Sequence, residues 1–137
     1  MGVQADVIQS LTVATRRKDE VIDLTDRVAT FVREEAERES GAVVIFAAHT
    51  TCAITTADLD PGTDLDLLQA LRKLLPPMTY RHPHDPPHAP DHILATLIGP
   101  TVTVPYRSRA LLLGTWQRIV LVELNGPRQR TIHFSAI

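Results

Sequence analysis

Residues 116–134 read WQRIVLVELNGPRQRTIHF, and this stretch carries the clearest secondary-structure signal in the chain. Two apolar-rich segments, 116–124 and 128–134, have the length and composition of β-strands. Asn125-Gly126 lies between them, and both residues tolerate the positive φ angles of a tight hairpin turn. We therefore predict a β-hairpin here, and with it an antiparallel sheet.

Hydrophobic periodicity predicts the other elements. Strands are expected at 9–15, 42–48, 53–57 and 101–105. A first helix should begin near Asp23 or Thr25, whose side chains can accept hydrogen bonds from free backbone N–H groups, and should stop at Gly41. Helical spacing gives it one apolar stripe, made of Leu24, Val28, Phe31, Val32 and Ala36.

A second helix is predicted from Asp60-Pro61, with Asp60 as the capping residue and Pro61 at the first helical position. Its apolar face would consist of Leu65, Leu68, Leu71 and Leu75, and Pro76-Pro77 would end it. Proline is frequent from 76 to 90, so irregular structure is expected there, followed by a short helix over 90–97 that Gly99 stops.

A chain of 137 residues suits a single domain, 1–137, with one hydrophobic core. The order of elements favours an α+β fold with a mostly antiparallel sheet and two main helices. A formal net charge of −2 gives no electrostatic footprint for nucleic acid. No apolar run could span a membrane, and residues 1–10 lack the pattern of a secretory signal. With Cys52 as the sole cysteine, we expect no internal disulfide and a cytoplasmic location.

The histidines are the first candidates for a functional site. They lie at 49, 82, 84, 88, 92 and 133, and imidazole commonly binds zinc and similar ions. His88 and His92 are four residues apart, but Pro90 between them argues against one continuous helix. This spacing matches no established zinc motif, so a metal site and a solvated loop that happens to carry histidines remain equal alternatives.

His49-Thr50-Thr51-Cys52 follows a predicted buried strand, a place where functional residues often emerge onto loops. His49 could bind a metal or transfer protons. Thr50 and Thr51 offer hydroxyl and backbone N–H groups to an anion. Cys52 could be a nucleophile with His49 as its base, but a small buried side chain is the favoured interpretation.

Charged residues supply the remaining candidates. Asp58 is a candidate general base, or a residue that orients a histidine ligand; the alternative is a solvated turn. Arginine side chains bind phosphate oxygens two at a time, which suits a phosphorylated substrate. Arg128 and Arg130 are expected to share one face of a strand, and Arg107 and Arg109 lie earlier. Ordinary surface charge is the alternative. Trp116 is expected in the core or at an interface.

Together these residues resemble the YjbQ-like family, which is associated with secondary thiamine-phosphate synthase activity. The resemblance covers nearly the whole chain and is carried by short segments in a fixed order. They are Asp23-Leu24-Thr25, His49-Thr50-Thr51, Asp58 with Asp60-Pro61, Tyr80-Arg81-His82, Asp91-His92, Leu113-Gly114-Thr115-Trp116-Gln117 and Glu123-Leu124-Asn125-Gly126-Pro127-Arg128-Gln129-Arg130.

The resemblance implies a homotrimer with a divalent-metal site, zinc being the first candidate, on His49, His82 and His92. It also implies weak thiamine-phosphate synthase activity, which joins a pyrimidine pyrophosphate to a thiazole phosphate. Two positions depart from the family pattern: Asp58 replaces a usual glutamate, and His88 stands near a usual asparagine. His84 has no assigned counterpart.

The leading hypothesis is therefore a trimeric metal-binding enzyme that acts on a phosphorylated small molecule. Arg107, Arg128 and Arg130 would neutralise phosphate charge, and Asp58 would orient a ligand or move a proton. The alternatives are metal-assisted hydrolysis of a phosphorylated small molecule, a non-catalytic metal- or ligand-binding trimer, and a thiol enzyme that uses Cys52.

Overall fold

The computed structural model describes residues 7–83 and 86–137. The strands are β1 (Ile8–Ala14), β2 (Glu20–Asp23), β3 (Gly41–Ala47), β4 (Cys52–Ala57), β5 (Thr101–Arg107), β6 (Ala110–Leu111), β7 (Arg118–Glu123) and β8 (Gln129–Ala136). The helices are α1 (Thr25–Glu35), α2 (Thr63–Leu74) and α3 (Ala89–Ile98), and a 3-10 turn, Pro86–His88, leads into α3.

The strands form two antiparallel sheets. One sheet has the order β1-β8-β3-β5-β6, and the other has the order β2-β7-β4. Side chains on one face of the smaller sheet, including Ile54, Ile119 and Leu121, share a core with the larger sheet and with α1. Its other face, including Val120 and Val122, packs against α2 and α3. The predicted α+β class is confirmed, with three helices in the described chain.

The predicted hairpin over 116–134 is wrong, although both strands exist. β7 pairs with β2 and β4, whereas β8 pairs with β1 and β3. Residues 124–128 therefore cross from one sheet to the other. The physical reason is burial: every residue of β7 from Ile119 to Glu123 is buried, so this strand needs neighbours on both edges and layers on both faces.

Helix α1 begins as predicted, since Asp23 Oδ1 accepts a hydrogen bond from the Thr25 backbone N–H at 2.9 Å. The predicted apolar stripe is buried throughout. Gly41, however, does not stop the helix but begins β3. A Cβ atom at Gly41 would lie 2.3 Å from the carbonyl oxygen of Ile137, so close backbone approach requires glycine here.

Helix α2 begins at Thr63, later than the Asp60-Pro61 signal predicted. Asp58 Oδ1 accepts the Asp60 N–H, which makes a turn, and Gly62 then adopts a positive φ of 88° directly before the helix. Leu65 was predicted on the apolar face but is exposed. None of the helices in the described ranges is long and apolar enough to cross a membrane.

Two strands were not predicted, and one of the two predicted positions of Trp116 is wrong. The short strands β2 and β6 lie in segments for which no strand was predicted. Trp116 precedes β7 and is 69% exposed, so it does not belong to the core of this subunit. An aromatic wall at an interface, the other predicted possibility, stays a prediction.

Candidate functional site

A pocket of about 520 Å³ lies where the end of β3, the start of β4, the β7–β8 crossover and the beginning of α3 meet. It brings together residues that are far apart in sequence, many of them predicted for the site. The described lining consists of Ala48, His49, Thr50, Thr51, His82, His88, His92, Asn125, Arg128 and Arg130. His84 lies outside the described residues. The pocket therefore unites the candidate histidines, threonines and two of the candidate arginines.

His49 lies just beyond the end of β3, and its side chain takes the place of a backbone hydrogen-bond partner for β8. The β3–β8 ladder ends at the pairing of Ala47 with Ile132. The next backbone N–H on β8, that of Thr131, donates to His49 Nε2 at 2.7 Å. Burial, and then the positive charge of Arg130, lowers the pKa of His49, so the imidazole is held in its neutral form.

His82 and His92 lie side by side, with ring centroids 4.8 Å apart and planes inclined by 23°. His92 is held by the first turns of α3. His88 Nδ1 lies 3.9 Å from Asp91 Oδ2, at the entrance to the same helix. Three histidines from the proline-rich region thus reach the pocket: His92 on α3, His88 in the turn before it, and His82 from the segment before that turn.

The predicted zinc ligands do not have ligand geometry in this arrangement. His49 uses its Nε2 lone pair for Thr131, and binding a metal through Nδ1 would require removal of the one remaining ring N–H proton, which leaves an imidazolate. Within residues 7–83 and 86–137, no three His, Cys, Asp or Glu side chains are grouped so that they could hold a metal ion. Zinc binding by His49, His82 and His92 stays a prediction that this geometry does not support.

Arg130 is buried and has a carboxylate partner. Its guanidinium group donates to both carboxylate oxygens of Glu123, including Nε to Oε1 at 2.8 Å, and Nη2 donates to Thr51 Oγ1 at 2.8 Å. Burial alone would raise the pKa of Glu123, but the hydrogen bonds from Arg130 and Thr15 lower it. Arg130 thus holds Thr51 in place, and its charge is balanced.

Arg128 differs from Arg130 in burial, although both side chains line the same pocket. Arg128 precedes β8, is exposed, and donates from Nε to the carbonyl oxygen of Asn125 at 2.9 Å. This bond uses one of the several N–H groups of the guanidinium. Arg128 is therefore the arginine of this pocket whose charge is available to a ligand.

Asp91, at the start of α3, belongs to a buried ionic network that the sequence analysis did not anticipate. Its carboxylate accepts from Lys18 Nζ at 2.9 Å and from Arg72 Nη1 at 2.6 Å. Lys18 and Arg72 also donate to the carbonyl oxygen of Leu124. The network joins α3, α2 and the β1–β2 turn to the crossover, so it positions the histidines of α3. Asp91 beside His92 was the available sequence signal.

Two predicted site residues lie elsewhere. Asp58 follows the far end of β4 from Thr51, roughly 20 Å away at the rise of an extended strand. It lines a separate pocket with Trp116 and Arg118. Arg107 ends β5 beside Gly41, at the opposite end of β3 from His49 and again roughly 20 Å away. The structure does not bring Asp58 or Arg107 to the histidine pocket of the same subunit.

Cys52 is 1% exposed, and burial raises the pKa of its thiol to about 11. We predict that a disulfide reagent such as DTNB leaves the native protein unmodified at neutral pH and reacts stoichiometrically after unfolding, because only an accessible thiolate attacks. Rapid release of one thiol equivalent from the folded protein would contradict this and revive a thiol mechanism.

Known proteins are similar to this chain in sequence and in fold. Residues 9–137 match the family model described as UPF0047 protein YjbQ-like. A UPF0047 protein from Archaeoglobus fulgidus is 38% identical over 93% of this chain and 98% of its own length. The UPF0047 protein YugU from Bacillus subtilis is 32% identical over 93% and 96%, respectively.

A solved structure of a YbjQ-like protein of unknown function from Sulfolobus solfataricus superposes with a TM-score of 0.89. It is 33% identical in sequence, and the match covers 96% of each chain. Both the sequence match and the fold thus extend over almost the entire chain. The protein belongs to the UPF0047, YjbQ-like family.

Proposed function

We propose that the histidine–arginine pocket binds the phosphoryl group of a phosphorylated small molecule. The observation that supports this most directly is the composition of the pocket. None of the described residues that line it is acidic, whereas Thr50, Thr51, Arg128, Arg130 and the histidines all reach it. Such a set matches the oxygen acceptors of phosphate.

The charges within the pocket favour an anion even though the whole chain has a formal net charge of −2. Glu123 balances Arg130, so Arg128 is left as the uncompensated cation of the described lining. Thr50 is exposed beside it and carries a hydroxyl group as well as a backbone N–H. A phosphoryl group would receive charge-assisted bonds from Arg128 and neutral bonds from the threonines.

A transferase of the thiamine-phosphate synthase type is the activity we propose for this pocket, supported by the family resemblance and by the phosphate-compatible donors. The thiazole nitrogen would attack the pyrimidine methylene carbon, forming a C–N bond as the C–O bond to pyrophosphate breaks. Arg128 would stabilise the departing pyrophosphate. The His82–His92 pair could instead serve water attack on a phosphate ester, which would make the protein a hydrolase.

A homotrimer is the assembly we propose, on the basis of the family resemblance. The exposed side chains of Trp116 and Leu112 support an interface on this subunit. A divalent metal ion, if present, would need ligands beyond His49 in the observed geometry, and His82 and His92 are the remaining predicted pair. Elemental analysis of protein purified without an affinity tag measures the metal content per chain.

Arg128→Ala is expected to weaken the binding of inorganic pyrophosphate roughly 10- to 100-fold, since a hydrogen-bonded charge contributes about 1.5–3 kcal/mol. Isothermal titration calorimetry on the folded protein measures the change. Arg107→Ala is the matched control: it removes the same charge from an exposed site at the other end of β3 and should leave the affinity unchanged.

Equal affinity for wild type and Arg128→Ala would remove the pocket from anion binding. An equal loss in both variants would show that pyrophosphate responds only to overall charge. If binding depends on Arg128, turnover of the pyrimidine and thiazole substrate pair, followed by chromatography of the product, distinguishes the transferase from a protein that only binds. Loss of turnover in His92→Ala would assign the chemistry to this pocket.

A further inference from the structure

The two ring nitrogens of His49 have different surroundings. Nε2 accepts the backbone N–H of Thr131 at 2.7 Å. A backbone N–H group can only donate, so Nε2 carries no proton while this bond exists. The proton of the neutral imidazole must then reside on Nδ1, which makes Nδ1–H a donor.

The fold keeps the ring in this orientation. Strand β3 ends at Ala47, so the N–H of Thr131 has no strand partner and depends on the side chain of His49. Turning the ring to free Nε2 would leave this part-buried N–H without its acceptor, which is unfavourable.

We propose that His49 donates a hydrogen bond from Nδ1 to the bound anion and is not a metal ligand. This inference rests on the proposed anion-binding function and specifies one donor of that site. His49 lines the pocket, and Nδ1 makes no hydrogen bond to any residue in the described part of the chain. A ligand oxygen in the pocket would supply the missing acceptor.

The other groups restrict the ligand in the same way. The guanidinium groups of Arg128 and Arg130 can only donate. Thr51 Oγ1 already accepts from Arg130, which directs its hydroxyl proton towards other acceptors. A fully ionised phosphoryl group offers only acceptors and therefore matches the donors that His49, Thr51 and the two arginines present. The inferred ligand class is thus an ionised phosphate ester or pyrophosphate.

Long-range ¹H–¹⁵N NMR of the full chain with ¹⁵N-labelled histidine tests this inference, because it identifies the tautomer of each ring. The signals of His49 are assigned by their absence in His49→Gln, whose amide oxygen can still accept from Thr131. We expect Nδ1 protonated and Nε2 unprotonated. Inorganic pyrophosphate should shift the Nδ1 signal, and zinc chloride should leave both His49 nitrogens unchanged.

A protonated Nε2, or an Nε2 signal that moves with zinc, would overturn the inference. If pyrophosphate binds in an Arg128-dependent manner but leaves Nδ1 unshifted, the role of His49 fails while the proposed function stands. If pyrophosphate does not bind at all, both fail. Affinity provides a second measurement: the His49→Gln substitution should weaken pyrophosphate binding about tenfold. The control is His133→Gln, which replaces a ring that contacts Ser10 on β1 and should leave the pyrophosphate affinity unchanged.

Discussion

Replacement of Glu123 with alanine is expected to lower the free energy of unfolding by about 3–5 kcal/mol, the usual cost of removing one partner from a buried ion pair. Arg130 would keep its charge at 3% exposure without the carboxylate that compensates it. The N–H groups of Leu124 and Asn125 would also lose an acceptor, Glu123 Oε2. Chemical denaturation followed by circular dichroism measures the change.

The effect should be large because Glu123 joins the two sheets. It lies on β7 in the smaller sheet, whereas Arg130 lies on β8 in the larger one, and Thr15 from the end of β1 donates to Glu123 Oε1 at 2.8 Å. Exposed ion pairs contribute far less, typically under 1 kcal/mol. Glu34→Ala, on the exposed face of α1, is therefore a suitable control and should change stability little.

The dependence of this effect on pH gives a second test. Because the folded-state pKa of Glu123 lies below its ordinary value of 4.5, the contribution of its ionised form is complete above 4.5 and disappears as the pH falls through the folded pKa. Glu123→Gln should therefore differ most from wild type at neutral pH and progressively less in acid. A constant difference, or an alanine variant as stable as wild type, would contradict the role of this ion pair.

Asp91→Ala is expected to lower the free energy of unfolding by about 3 kcal/mol and to weaken pyrophosphate binding as well. The carboxylate is 1% exposed and accepts from Lys18 and Arg72, but those two cations remain partly solvated when it is removed. The decrease in the free energy of unfolding should therefore be no larger than that of Glu123→Ala. Binding should weaken because α3 carries His92 and is fixed to the crossover by this network.

Denaturation and calorimetry on the same preparation of Asp91→Ala separate these two effects. Asp66→Ala, in the exposed first turn of α2, is the control for loss of a carboxylate: it should lower the free energy of unfolding by under about 1 kcal/mol and leave binding unchanged. Unchanged pyrophosphate affinity in a clearly destabilised Asp91→Ala would show that the position of α3 does not matter for the pocket. Unchanged stability would mean that the network makes no net contribution to the free energy of unfolding.

Local patterns predicted most of the individual elements. The apolar residues of α1 follow helical spacing, so the buried face of this helix was predictable from the sequence. Its start was predictable as well, because Asp23 can accept a hydrogen bond there. The hairpin prediction failed because Asn125-Gly126 describes only a turn, whereas strand pairing depends on what covers each strand. The uninterrupted burial of β7 indicates a central strand, and no local rule identifies β2 and β4 as its neighbours.

The difference between what local patterns predict and what tertiary packing decides also applies to the site. His49, Thr51 and Arg128 were predicted from chemistry and resemblance, and the structure brings them into one pocket. Asp58 and Arg107 were assigned to it as well, from resemblance and charge, but β4 separates Asp58 from Thr51, and Arg107 lies at the opposite end of the β3–β5 pair from His49. The pairing of Glu123 with Arg130 was not foreseen for a related reason: the two strands belong to different sheets, so no periodicity links them.

A crystal structure of the wild-type protein with inorganic pyrophosphate tests the proposed anion site most directly. We predict density for the anion in the pocket between Thr50 and Arg128, with an oxygen atom within hydrogen-bonding distance of His49 Nδ1. A ring of His49 that still accepts from Thr131 is part of the same prediction. Pyrophosphate bound elsewhere, or an empty pocket at concentrations that saturate binding in calorimetry, would contradict it.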